Sequence, residues 1–234
     1  MLRMTLHRHI SASISRAAIS TLLALGALSA SAQGLKQQTE RPDTTRFFRG
    51  LQVMADVVGP IQLAVSDYGQ YEAALRINFK DKYFPVFELG YGTANHEDDP
   101  VTHVAYKTSA PYGKVGMDFN IMKNKHDIYR VYIGARYAFT TFKYDVASPV
   151  LTDPVWKDPA AIQLNNVSAS YHWAELLFAV DAKIWGPLHL GWSVRYRRRL
   201  AHNDGESGNV WYVPGFGKTG NSRLGGTFNI IINL

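Results

Sequence analysis

No cysteine occurs anywhere in this 234-residue chain, so no disulfide supports its fold and no lipidated cysteine anchors it. Long apolar runs are missing too. Beyond the N-terminal segment no stretch approaches the roughly 18 apolar residues of a helical membrane span. A strong excess of one charge is also absent. The 25 Lys+Arg against 19 Asp+Glu give a formal +6, and three of those cations, Arg3, Arg8 and Arg16, lie in a segment that reads as an export signal. Taking three from 25 leaves 22 bases against 19 acids, a formal +3, too mild to point to a nucleic-acid partner.

The N-terminal segment has the order of a cleavable signal peptide over residues 1–32. A basic stretch precedes an apolar one, Ala17–Leu28, and the small residues Ala30-Ser31-Ala32 precede Gln33. About a dozen apolar residues are too few to span a bilayer. Residues 33–46 then read as a polar periplasmic tail, and 47–234 as one domain.

What the chain does have is alternation. In Leu224–Leu234, Leu224, Gly226, Phe228, Ile230, Ile232 and Leu234 share one face, and Gly225, Thr227, Asn229, Ile231 and Asn233 share the other. Roughly eleven residues of period two is the length of a tilted strand that crosses a bilayer, and a strand of this kind closes an outer-membrane barrel against the first strand. The pattern recurs from Leu51 to Val58, Tyr71 to Lys80, Phe87 to Gly92, Gly113 to Ile121, Tyr129 to Phe139, Ala174 to Ile184 and Leu188 to Arg197. These eight segments predict an all-β, eight-stranded antiparallel transmembrane β-barrel. Short connections at Lys80–Lys82, Lys123–Asp127 and Trp185–Pro187 alternate with long ones at Gly59–Gly69, Thr93–Ala110, Lys143–Ser170 and Ala201–Asn221, as periplasmic turns alternate with extracellular loops.

Aromatic residues crowd the strand ends: Phe79, Tyr83, Tyr129 and Trp185 near the turns, and Tyr91, Tyr112, Tyr137, Phe139, Tyr171 and Tyr196 toward the loops. That distribution predicts two interfacial girdles and lipid outside. The inner face then holds Asp56, Glu72, Arg76, Glu88, Lys114, Asp118, Arg130, Arg136, Glu175, Asp181, Lys183, Arg195 and Arg197. An eight-stranded barrel is only wide enough for side chains to fill it, so these charges are expected to pair across a plugged lumen. On the lipid face, Val131 and Val180 are placed near mid-membrane.

Several strings resemble something more specific. They are Tyr83-Phe84-Pro85-Val86-Phe87-Glu88-Leu89-Gly90-Tyr91-Gly92, Lys107-Thr108-Ser109-Ala110-Pro111-Tyr112, Gly191-Trp192-Ser193-Val194-Arg195-Tyr196 and, most distinctive, Trp211-Tyr212-Val213-Pro214-Gly215-Phe216-Gly217-Lys218. Together they resemble a Bacteroidota family of outer-membrane barrels known only as a domain of unknown function, with the small-barrel architecture called OmpA-like. The resemblance implies fold and location. It brings no activity and no catalytic residue.

On its own chemistry, the segment around Trp211, Tyr212, Pro214 and Phe216 is either a loop folded back over the barrel mouth or a docking surface of exposed aromatic anchors. Ser168, Ser170, His172 and Glu175 cluster at the start of the sixth strand, but Ser170 and His172 share a face that Glu175 does not, so no catalytic triad converges. His96, Glu97, Asp98, Asp99 and His103, and separately His202, Asp204 and Glu206, read as solvated loop charge ahead of cation sites. The expectation is therefore a non-enzymatic barrel without a cofactor. Its partners would be outer-membrane lipid, lipopolysaccharide and a larger outer-membrane complex met through the loops. A lipid-modifying enzyme, a narrow channel and a soluble ligand-binding barrel are the rivals.

Overall fold

The computed structural model describes residues 46–97, 104–148, 151–152, 159–160, 163–206, 208 and 210–234. The expected signal peptide, and the tail up to residue 45, lie outside the described residues. Eight strands carry the alternation: β1 (Phe48–Asp56), β2 (Tyr68–Phe79), β3 (Tyr83–His96), β4 (Ala105–Asn120), β5 (Tyr129–Ala147), β6 (Gln163–Trp185), β7 (Leu188–Asn203) and β8 (Ser222–Asn233). Each pairs antiparallel with the next, and β1 pairs with β8 to close the barrel. Two short ladders lie outside the wall, Leu151–Thr152 with Pro159–Ala160 and Tyr212–Val213 with Gly217–Lys218.

Neighbouring residues settle which face is which. On β3, Leu89 is 72% exposed while Glu88 beside it is 1% exposed. Val115, Ile133, Leu176 and Val194 are likewise exposed, whereas Lys114, Arg136, Glu175 and Arg195 are buried. A half-buried sheet in water turns its apolar face to the core and its polar face outward; here the phase is inverted, as in a transmembrane barrel.

Tyr83, Phe119, Tyr129 and Trp185 ring the turn end of the outer wall, and Tyr91, Tyr137, Phe139 and Tyr196 ring the loop end. Phe79 is half-buried against Phe47, with ring centroids 4.8 Å apart. Tyr112 and Tyr171 correct the expected girdle, because both are buried inside. Strand parity explains this: Tyr112 is two residues from Lys114 on β4, and Tyr171 is four from Glu175 on β6, so each shares the inward face. Val131 and Val180 do face outward and pair with each other, but only two rungs from the Tyr129↔Ala182 pair at the turn end. Mid-wall is the Ile133↔Phe178 rung between the two aromatic rings.

The strands also run further toward the loops than their apolar pattern predicts. β5 continues to Ala147 and β6 starts at Gln163, and β4 pairs with β5 as far as Ala105↔Ala147, so the wall is tall on this side. The largest departure follows β1, which stops at Asp56 where alternation predicted Val58. The Asp56 carboxylate accepts hydrogen bonds from the backbone N–H groups of Val58 and Gly59 at 3.2 and 2.9 Å, turning the chain into a helix, α1 (Val58–Val65), where a loop was expected. A side-chain oxygen satisfying the first free N–H groups is what starts a helix, and Pro60 sits in the first turn, where its missing N–H does no harm.

The β1–β8 register consequently covers only Gln52–Asp56 against Asn233–Asn229. Above it α1 stands where a strand would continue, packed on β2 and touching β8.

Candidate functional site

Side chains from six strands meet inside the barrel. On β7, Arg197 Nε lies 3.2 Å from Glu175 Oε1 of β6, and Lys114 Nζ of β4 lies 3.2 Å from the same oxygen. Lys114 also reaches Glu72 Oε2 of β2 at 2.8 Å. Arg195 Nη1 then spans Glu72 Oε1 at 3.1 Å and Glu88 Oε2 of β3 at 2.7 Å. Arg136 of β5 joins Glu88 at 3.0 Å to Asp118 of β4, which it grips through both oxygens at 2.7 and 2.8 Å. Arg76 continues from Asp118 at 3.0 Å to Asp181 at 3.2 Å, with its guanidinium 4.5 Å from the Tyr132 ring centroid. Acids and bases thus alternate along one line from the loop end to the turn end. Paired and hydrogen-bonded in this way, charges can be held away from water.

At the turn end a smaller cluster gathers round Asp81, whose side chain is fully buried. Asn78 Nδ2 donates to it at 2.6 Å, and Arg130, Arg49 and His126 lie within 3.2 Å. Burial pushes the Asp81 carboxyl up, but Asn78, His126, Arg130 and Arg49 together hold it below the ordinary carboxylate value. Asp81 also sits at a positive φ of 55°, as does Lys80 before it; Asn78 Oδ1 accepts the Asp81 N–H at 2.9 Å, which holds that turn.

At the loop end the lumen changes character. Residues 210–216 fold back into the mouth, where Val210, Tyr212, Val213 and Phe216 are buried among Tyr106, Phe142, Tyr144, Tyr171 and Trp173. Tyr106 Oη donates to the Tyr212 carbonyl at 2.8 Å, Tyr212 Oη to the Gly69 carbonyl at 3.2 Å, and Arg197 Nη1 to the Phe216 carbonyl at 3.0 Å. Gly92 and Gly215 permit this insertion. A Cβ on Gly92 would stand 2.8 Å from Pro214 Cα, and Gly215, at φ +82°, lies directly on the Tyr112 ring. Tyr171 Oη and Tyr144 Oη both bond Asp204, fastening the start of the same connection.

Of the two readings of this segment, the docking surface is therefore corrected. Tyr212, Pro214 and Phe216 are buried, and Trp211 is half-buried, stacked on His96 with centroids 4.5 Å apart and carrying Lys218 Nζ 4.9 Å from its centroid. Rings already packed into the barrel offer no anchors to a partner. Two of the thirteen inward charges also need correction. Lys183 is exposed beside an irregularity where β6 meets its turn, outside the lumen. Asp56 is buried but binds N–H groups, not cations: besides Val58 and Gly59, it accepts from Phe228 of β8 at 3.1 Å. The other eleven are all buried.

Ser170 and His172 face outward, with His172 Nδ1 2.8 Å from Tyr137 Oη, while Glu175 is turned inward to Lys114 and the arginines. His202 lies 3.4 Å from Asp204. Asp98, Asp99 and His103 lie outside the described residues. The inner aromatic layer was missed in the sequence, although parity with Lys114 and Glu175 assigns Tyr112, Tyr171 and Trp173 to it. The Asp81 cluster was missed as well, apart from Arg130, since Asp81 and His126 come from two turns while Arg49, Asn78 and Arg130 come from three strand ends.

The chain matches the family described as "Domain of unknown function (DUF6048)" over residues 14–233. It belongs to that family. No curated protein sequence matches this DUF6048 chain. Among solved structures, it is similar to a major outer membrane protein from Thermus thermophilus, with TM-score 0.40 and 13% identity over 79% of this chain and 98% of that one. It is also similar to Neisserial surface protein A, with TM-score 0.37 and 13% identity over 81% and 100%. The attachment invasion locus protein Ail of Yersinia pestis has TM-score 0.37 and 7% identity over 79% and 95%.

Proposed function

We propose that this DUF6048 chain is a Bacteroidota outer-membrane barrel, exported by a cleaved N-terminal signal, that works without catalysis as a structural element or as an accessory subunit of a larger outer-membrane complex. The filled lumen carries this reading. Among the described residues, continuous ion pairs occupy the interior and the segment 210–216 packs into the mouth, which argues against a through path for a solute. Function then falls to the outer surface and to the loop end, where β5 and β6 are the longest strands.

Isolation of the tagged chain from native outer membranes in mild detergent, followed by sizing and mass spectrometry, tests the accessory role. A stoichiometric larger membrane protein is the expected companion, and a lone particle of monomer size rejects that role in favour of a stand-alone structural barrel. Planar-bilayer recording of the reconstituted chain tests the filled lumen. No steady conductance is expected, and a steady one rejects the reading.

A further inference from the structure

The wall of the barrel changes material at one place. Between β2 and β8, above Asp56, no strand pairs with Ser222–Thr227 on the β1 side, because the register stops at Asp56↔Asn229. Among the described residues, the last main-chain link on that side is from the Val57 N–H to the Phe228 carbonyl at 2.9 Å. Helix α1 covers the gap incompletely and leaves a cavity of about 470 Å³ between itself, β8 and the inserted segment. β1 and β8 add no charge to the ion-pair line inside; behind their paired rungs lie Met54, Ala74, Val86 and Ile231.

The lining has two chemistries. Ile61 and Val65 of α1 and Leu224 of β8 are apolar and more than half exposed, and α1 contains no charged residue. Opposite them stand three cations. Lys218 and Arg223 pair with no carboxylate among the described residues. Arg223 donates instead to the carbonyls of Lys218 at 2.7 Å and Thr219 at 3.0 Å, and the Lys218 ammonium rests over the rings of Tyr68 and Trp211. Arg197 forms the floor, and Gly225 leaves its guanidinium uncovered, since a Cβ there would come 3.5 Å from Arg197 Cζ. The one acid in the lining, Asp56, is occupied by three backbone N–H groups.

From this juxtaposition we infer that the cleft between α1 and β8 binds one anionic lipid of the surrounding leaflet. Its phosphate-bearing head group meets Lys218, Arg223 and the side of Arg197 that lines the cleft, and an acyl chain lies against Ile61, Val65 and Leu224. Arg and Lys serve phosphate as charge-assisted donors, and the apolar side opens on the face that meets hydrocarbon. The assignment rests on the membrane reading above and adds to it a site and a ligand class.

Native mass spectrometry of the full mature chain, folded in zwitterionic detergent and titrated with phosphatidylglycerol, phosphatidylcholine and inorganic phosphate, tests it. One phosphatidylglycerol per barrel is expected, with phosphatidylcholine and inorganic phosphate binding far more weakly. Lys218→Gln and Arg223→Gln should each weaken binding about 10-fold, the worth of one charge-assisted hydrogen bond. Arg223→Lys should restore most of it, and Lys107→Gln, across the barrel on β4, should change nothing. Equal binding of the two lipids, or indifference to both glutamine variants with circular dichroism unchanged, overturns the inference. Inorganic phosphate binding as tightly as phosphatidylglycerol overturns the lipid assignment in favour of a free anion. A polypeptide that displaces the lipid stoichiometrically overturns it in favour of strand addition to the β8 edge. Failure of the wild-type chain to float with phosphatidylcholine vesicles rejects the membrane reading itself; flotation with lost lipid selectivity rejects only this site.

Discussion

The interior of this barrel is filled in two ways. From Glu175 down to Asp181 the lumen is held by alternating acids and bases, every one delivered by a strand and placed by its parity. Above Glu175 it is filled mainly by aromatic rings, and four of the fifteen buried residues of that layer (Val210, Tyr212, Val213 and Phe216) come from a connection that re-enters the barrel. The first filling is part of the wall and cannot leave without dismantling it. The re-entrant part of the second is tied to the wall by hydrogen bonds from Tyr106 and Arg197, without belonging to the wall's own ladder.

The largest expected effect tests the charged half. Arg136→Met leaves Glu88 Oε1 and Asp118 Oδ1 without a cation, while Arg195 and Arg76 still hold the other oxygens, and should cost about 3–5 kcal/mol, because removing one partner of a buried ion pair is strongly destabilising. Urea midpoints of folding into lipid vesicles measure it, and a cost near zero would mean that water reaches this layer. Outside, Ile133→Arg at mid-wall should cost about 2–4 kcal/mol, and Val131→Arg, two rungs nearer the turn, about 0–1 kcal/mol. Equal costs at the two positions would place the apolar band wrongly.

Phe216→Ala addresses the aromatic half. In a rigid core such a truncation costs about 3–5 kcal/mol; here the loss should fall below about 3 kcal/mol, since the segment can open locally while the wall stays intact. Hydrogen exchange should speed up in residues 210–218 and stay unchanged in β4 and β5. Uniform acceleration would show that both halves unfold together.

The smallest effect is pH-dependent and concerns the turn end. Asp81 is held below its ordinary value of 3.8 in the folded chain, so the unfolded chain takes up the proton first. Its contribution is therefore fully present above that value and disappears as the pH falls through the lower folded one. Asp81→Asn should flatten this acid limb of the stability profile and leave the neutral range less stable. An unchanged acid limb would remove Asp81 as its source.

The same contrast explains what could be read from the chain beforehand. Alternation placed Glu72, Glu88, Lys114, Arg136 and Arg195 on one face because a strand has a period of two whatever it packs against. It could not show that Lys183 leaves the lumen, because an irregularity at the end of β6 breaks the period there. Nor could it show that Asp56 turns the chain into α1, an event decided by N–H groups of Val58, Gly59 and Phe228 rather than by hydrophobic pattern. Trp211–Lys218 was recognisable as unusual, but burial of its rings depends on Gly92 and Tyr112, more than ninety positions away, which no local pattern reports.

The closing rung carries a consequence for time rather than stability. Seven of the eight seams join strands consecutive in the chain, whereas the eighth joins Gln52 to Asn233 and Asp56 to Asn229. Hairpins can form early at small loop entropy, but that last seam must wait until both ends of the barrel meet, so closure is expected to be the slow step of folding. A lesion at the Val53↔Ile232 rung should therefore retard folding more than an equally destabilising one inside any hairpin.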